Sequence, residues 1–156
     1  MTLGDILKLE GAIVEQFTVK SSEDIELGEF VVNDGAGIVA ATAANSVNSN
    51  KMVALEAHDY SEATSHKISC LVHGVVVAQK VSGSGAAKKG QKLMISGTAG
   101  ECTLFVAGAA PSGGATQYYQ STQETAFNTA LNTNLTAFGE AYSDSIDADV
   151  VQEVRL

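Results

Sequence analysis

The chain has 156 residues, 45% of them apolar, with no Trp, a single Pro and a formal charge of −9. A chain of this length is one domain's worth and can bury roughly two-thirds of its unfolded surface, so a core needs no disulfide or metal to close it. The acids crowd the first 34 residues, where Asp5, Glu10, Glu15, Glu23, Asp24, Glu26, Glu29 and Asp34 outnumber Lys8 and Lys20. Such a surface repels phosphate backbones and anionic lipid, and no apolar run approaches the roughly 18 residues that crossing a bilayer takes. Neither nucleic acid nor membrane is an expected direct partner. The opening Met-Thr-Leu-Gly-Asp-Ile has no basic flank and no apolar leader core, which points to a product of the cytoplasm.

Taken in chain order, residues 1–24 read as an N-terminal arm leading into the fold. Leu3, Ile6, Leu7 and Leu9 make it apolar near a terminus, where segments stay loose unless docked. Val- and Ile-rich clusters then recur at 13–19, 29–33, 37–41, 52–56, 67–72, 74–80, 91–95, 101–106 and 149–155, separated by Gly, Asn, Asp and Ser. Short β-branched runs between turn residues predict an antiparallel sheet that closes on itself. One window suits a helix. Within 121–135, Ser121 and Glu124 match a capping box, and Phe127, Leu131 and Leu135 follow at i, i+4 and i+8. The expected fold is all-β, a small barrel or sandwich, with one short helix or flap inserted at about 115–135.

The chain also repeats itself. Gly28-Glu-Phe-Val-Val-Asn-Asp-Gly35 aligns with Gly90-Gln-Lys-Leu-Met-Ile-Ser-Gly97, each a strand between two glycines. Val53-Ala-Leu-Glu-Ala57 and Cys70-Leu-Val72 find ungapped counterparts in Ala137-Phe-Gly-Glu-Ala141 and Val154-Arg-Leu156. The expectation is a single β domain over 25–156, made of halves 25–80 and 81–156 that share one core, with an insertion at 110–135.

Each candidate chemical site in the sequence also has a plain structural role. The loop Gly83-Ser-Gly85-Ala-Ala-Lys88-Lys89-Gly90 has the glycines of a phosphate cradle, but Gln91 and Lys92 stand where Lys and a hydroxyl residue belong, and a strand follows instead of a helix. It reads as a connector, with Lys88 and Lys89 keeping the bend in water. His58, His66 and His73 lack a familiar metal-ligand spacing, and no cofactor or metal is expected. Cys70 and Cys102 sit in apolar alternating runs and read as reduced core thiols. The carboxylates lie mostly in polar turns such as Ser21-Ser-Glu-Asp24, which read as solvated faces, and no nucleophile elbow is present, so the reading is not an enzyme.

The order of the segments resembles a known family. Glu10-Gly11-Ala-Ile-Val14, Gly28-Glu-Phe-Val-Val32, His73-Gly-Val-Val-Val-Ala-Gln-Lys80, Gly90-Gln-Lys92, Ala137-Phe-Gly-Glu-Ala141 and Val154-Arg-Leu156 together resemble the capsid decoration, or cement, proteins of tailed viruses. The sequence departs from that pattern at Gln79, where the family often has proline, and at Met94, where an aromatic is common. The resemblance implies a structural virion protein on the outer capsid surface, made in the host cytoplasm, forming a homotrimer and bridging subunits of the major capsid protein. Leu3, Ile6, Leu7, Leu9, Lys88 and Lys89 would be its capsid or partner contacts. The alternative from a different class is a non-catalytic β-barrel module that binds a small molecule or peptide, with Tyr118 and Tyr119 as contact residues.

Overall fold

The computed structural model describes residues 2–47, 49–62, 66–107, 120–135 and 137–156. Among these residues nine strands and one helix follow one another: β1 (Ile6–Thr18), β2 (Phe30–Asn33), β3 (Ile38–Ala40), β4 (Met52–Ala54), β5 (Lys67–Gln79), β6 (Lys92–Ile95), β7 (Cys102–Leu104), α1 (Gln120–Leu135), β8 (Ala137–Ala141) and β9 (Val151–Arg155). The fold is nearly all-β, a curled antiparallel half-barrel sheet with one short helix. The strand order is β3-β2-β4-β5-β9-β8-β6-β7, with β1 joined to β5.

That order reads alike from both ends. β2 pairs β3 and β4, and β4 pairs β5; in the same way β6 pairs β7 and β8, and β8 pairs β9. The backbone bonds repeat too. Gly28 N–H donates to Ala54 O as Gly90 N–H donates to Ala141 O, and Ala54 N–H donates to Glu29 O as Ala141 N–H donates to Gln91 O. Both glycines open their units with positive φ, +80° at Gly28 and +86° at Gly90, a conformation that a side chain resists. The ungapped sequence match is out of step at one place. Leu55 N–H reaches Ser69 O as Tyr142 N–H reaches Glu153 O, so the bonds equate Ala54, rather than Ala57, with Ala141.

One core joins the two units. Phe30, Val32, Val53 and Leu71 from the first pack with Leu93, Ile95, Cys102, Ala141 and Val154 from the second. Phe30 meets Phe138 with ring centroids 4.8 Å apart and planes at 60°, a favourable tilted contact across the seam. The first unit has a second apolar face, where Val31, Ile38, Met52, Ala54, Ile68 and Cys70 pack with Val19 and Ile25. This explains why Phe30-Val31-Val32 is a continuous apolar run: successive side chains enter different cores. Cys70 and Cys102 are free and buried, and burial pushes both thiols up to about 12.

The two runs at 67–72 and 74–80 form one long strand. β5 pairs β4 at Leu71 and Cys70 and β9 from Val75 to Gln79. Leu71, Cys70, Val75 and Val76 also pair with β1, so β1 occupies the opposite edge of β5 from both units. The register of β1 slips around Lys8 and Ile13, and at the bend Gly74 brings β5 close to Ala12, where a built Cβ would lie 3.4 Å from the Ala12 Cα.

The first residues are tied into the sheet. Gly4 N–H donates to Val77 O, Val77 N–H donates to Asp5 O, Ile6 packs against the shared core, and Leu3 covers Gly28, where a Cβ would fall 2.8 Å from Leu3 Cδ2. Deleting residues 1–10 is expected to weaken the strand signal in circular dichroism and to lower stability by about 2 kcal/mol or more, through lost ladder bonds and the lost burial of Leu3 and Ile6. An unchanged spectrum and unfolding midpoint would show that the first half of β1 is an adjunct.

The helix forms where the capping box and i, i+4 pattern place it, though the side chains of Ser121 and Glu124 lie outside the described residues. Its apolar stripe does not enter the core: Phe127 is 59% exposed, and Leu131 and Leu135 are also exposed. Both cores are already closed by strands and loops.

Candidate functional site

The sheet register assembles a row of side chains that is scattered in sequence. Lys8 pairs with Val75, Val75 with Arg155, Arg155 with Glu140, and Glu140 with Lys92, so five neighbouring strands each contribute one residue. Directly opposed residues share a face of a sheet, which puts the four charged side chains on the same side. Glu140 lies between two cations, 3.8 Å from Arg155 and 3.7 Å from Lys92. Val75, in the middle of the row, is buried.

Tyr142 follows β8 two residues beyond Glu140, and the Glu153 carbonyl fixes its backbone. Three cations surround its ring. The Lys89 ammonium lies 5.0 Å from the centroid, the Arg155 guanidinium 5.2 Å and the Lys8 ammonium 5.3 Å, all within cation–π range. The Tyr142 hydroxyl is held below its ordinary range, mainly by its hydrogen bond with Lys8 and further by the charges of Lys8, Lys89 and Arg155.

The loop that carries Lys88 and Lys89 is pinned by acids from the preceding turn of β9. Asp144 accepts the Lys89 N–H at 2.9 Å and the Lys88 ammonium at 3.0 Å, and these bonds hold its carboxyl below the ordinary range. Other amides that a phosphate would need are also taken. Gly83 N–H bonds Asp147 O, Gly85 N–H the Asp147 carboxylate, Lys88 N–H Gln91 Oε1, and Gly90 N–H Ala141 O. The glycine-rich stretch is a connector in which the amides of Gly83, Gly85, Lys88, Lys89 and Gly90 are spent on the protein itself.

The expected contact residues divide accordingly. Leu3 and Ile6 are partly buried packing residues, Leu7 is half-buried, and Leu9 is 80% exposed. Lys88 and Lys89 lie at the Tyr142 cluster, and Lys8, between Leu7 and Leu9, connects that cluster to β1. Lys8, Tyr142, Arg155 and Glu140 had no sequence signal as a site, because only the register brings them together. Beyond Lys8, β1 continues with Ile13 and Val14 exposed as well. Among the described residues β1 pairs only with β5, so its other edge offers unpaired backbone donors and acceptors next to apolar side chains. Tyr118 and Tyr119 lie outside the described residues.

Three other groups depart from solvated or plain core roles. His58 and His66 approach with Nδ1 atoms 3.0 Å apart, so one ring donates and the other accepts. His58 is 4% exposed, and its Nε2 is buried without a hydrogen-bond partner. The backbone brings them together: His58 exchanges bonds with Ile25, and His66 O accepts from Val19 N–H. Glu29, read as part of a solvated acidic face, is pushed up to about 7, chiefly by burial, with Glu26, Glu101 and Glu23 nearby. Lys80 is 1% exposed, enclosed by carbonyl oxygens. Among the described residues no cluster of three or more His, Cys, Asp or Glu side chains is placed to hold a metal ion, and no helix is long and apolar enough to cross a membrane.

No protein-family model, curated protein or solved structure matches the chain.

Proposed function

We propose that this chain is a structural virion protein that binds the outer surface of a viral capsid as a homotrimer and stabilises the shell by bridging major capsid subunits. The observation that carries the reading is β1: thirteen residues long, unpaired along one edge among the described residues, with Leu9, Ile13 and Val14 exposed. An uncovered edge of this kind invites pairing with another chain, and natural proteins usually blunt it or use it. The rest of the fold suits a rigid clamp, since two β units share one core. Contacts made by three copies at once raise the effective affinity on the order of 10²–10⁴ over one copy, so each can bind weakly. Its site of action on this reading is the virion, after synthesis in the host cytoplasm.

Light scattering coupled to size-exclusion chromatography tests the assembly, and electron microscopy of particles with and without the protein tests the attachment. A trimeric mass and the loss of knob-like density at three-fold positions are the expected results. A strict monomer at micromolar concentration, or particles whose surface is the same in both preparations, would refute the reading.

A further inference from the structure

We propose that the Tyr142 platform, with Lys8, Lys89 and Arg155 around its ring, is a docking site for the carboxylate side chains of an acidic, extended segment of a partner polypeptide. This rests on the capsid reading only for the partner's identity; the chemistry is argued from the platform itself.

Charge is the first argument. The chain carries nine basic residues against eighteen acidic ones, yet Lys8, Lys88, Lys89, Lys92 and Arg155 meet on this one face. Glu140 and Asp144 offset part of that charge, through Lys92, Arg155 and Lys88. Lys8 and Lys89, the two ammonium groups over the ring, have no carboxylate within ion-pair distance among the described residues. Three cations, each about 5 Å from one ring centroid, repel one another; the ring offsets this only in part, and an added anion offsets it further.

The form of the anion follows from the surroundings. Glu10 and Glu15 extend from the same strand as Lys8, in the most acidic stretch of the chain, and a phosphate polymer with its dense charge would be repelled there. An extended peptide spaces same-side residues about 7 Å apart. With its backbone laid along the free edge of β1, it can set a carboxylate against Lys8, the cation of the platform that this strand carries, and an apolar residue on Leu9. The platform and the open edge share Lys8, so one segment can use both.

The test uses the full chain and four probes: an eight-residue peptide alternating Glu and Val, the same peptide with Gln for Glu, inorganic phosphate, and a short single-stranded DNA. Calorimetry at low salt should show the Glu peptide binding, the Gln peptide binding about tenfold or more weakly, and added salt loosening the complex. The Glu peptide should also move the phenol titration of Tyr142 upward at 295 nm, with Tyr142→Phe identifying the contribution of the other tyrosines. Lys89→Glu and Lys8→Gln should each lower affinity about tenfold, with the circular-dichroism spectrum unchanged.

No binding of the Glu peptide, equal binding of the Gln peptide, or phosphate or DNA binding as tightly with the same phenol shift would each overturn the assignment. The two readings can fail separately. Peptide binding without particle attachment would remove the capsid and leave the acidic-segment site, whereas Glu-peptide binding that Lys89→Glu leaves undiminished, in a protein that still attaches to particles, would remove this site and leave the capsid.

Discussion

Replacing Lys80 with Met is expected to destabilise the protein by about 2–4 kcal/mol, read as a lower urea midpoint with an unchanged slope. Met keeps nearly the length and volume of the lysine stem, so a cavity contributes little. What changes is the ammonium, which lies 3.3–3.4 Å from the carbonyl oxygens of Val81, Ile146, Asp147 and Asp149. Two effects compete. Removing a buried cation relieves its desolvation, but no carboxylate among the described residues lies within ion-pair distance of it, and four carbonyls lose the donor they converge on. Each unsatisfied buried carbonyl costs about 1–3 kcal/mol, and the turn at 146–149 limits the total by opening toward water. The carbonyl side of the balance wins. The opening should spread to the neighbouring loop, because Gly83 N–H and Gly85 N–H are both held by Asp147, and faster hydrogen exchange at those two amides would accompany the lower midpoint. A midpoint equal to the parent's would show that water or backbone rearrangement satisfies the four carbonyls at no cost.

Lys80 also marks the boundary of what the sequence makes legible. The run Val75-Val76-Val77-Ala78 says strand on its own, because β-branched residues with no polar alternation fit only a sheet buried on both sides. The glycines at 28 and 90 mark where each unit begins, since both need positive φ at the same hydrogen-bonded turn. The fate of the lysine that ends the run depends on a turn far along the chain, and a basic residue at a strand end ordinarily reaches water. The first half of β1 was hidden for a related reason. Leu7-Lys8-Leu9-Glu10-Gly11 pairs only with β5 and stays largely exposed, so its sequence carries little of the burial pattern that marks a core strand. The Tyr142 cluster is further from view. Lys8 and Arg155 stand near opposite ends of the chain, and only the register through Val75 sets them side by side. Even the internal repeat, aligned without a gap, misplaces Tyr142 by three positions relative to the strand it follows.

Glu29 should give the protein a stability that falls as pH rises from about 4.5 to about 7, and Glu29→Gln should remove that fall. Burial favours the protonated carboxyl, and the nearby charges of Glu26, Glu101 and Glu23 add to the effect; the Glu26 N–H, 3.0 Å from Oε2, opposes it by favouring the anion. The folded pKa lies above the unfolded one, so the folded state binds the proton more tightly. The stabilisation is full below the unfolded value and lost as pH passes through the folded value. Since water still reaches part of this side chain, the contribution is discounted to about 1–2 kcal/mol. Gln matches the protonated carboxyl in shape and charge, so the variant should equal the parent near pH 4 and exceed its stability by that amount at pH 8. Asp34 and Asp144, whose carboxyls are held low by Lys20 and by the 88–89 loop, give stability that is lost on acidification instead. Both persist in the variant, so subtracting one urea-midpoint profile from the other cancels them and leaves Glu29. Parallel profiles from pH 4 to 8 would mean that the carboxyl ionises without penalty, either because it swings to solvent or because the contact with Gly100, where a Cβ would lie 2.6 Å from the Glu29 carboxyl carbon, does not keep it inside.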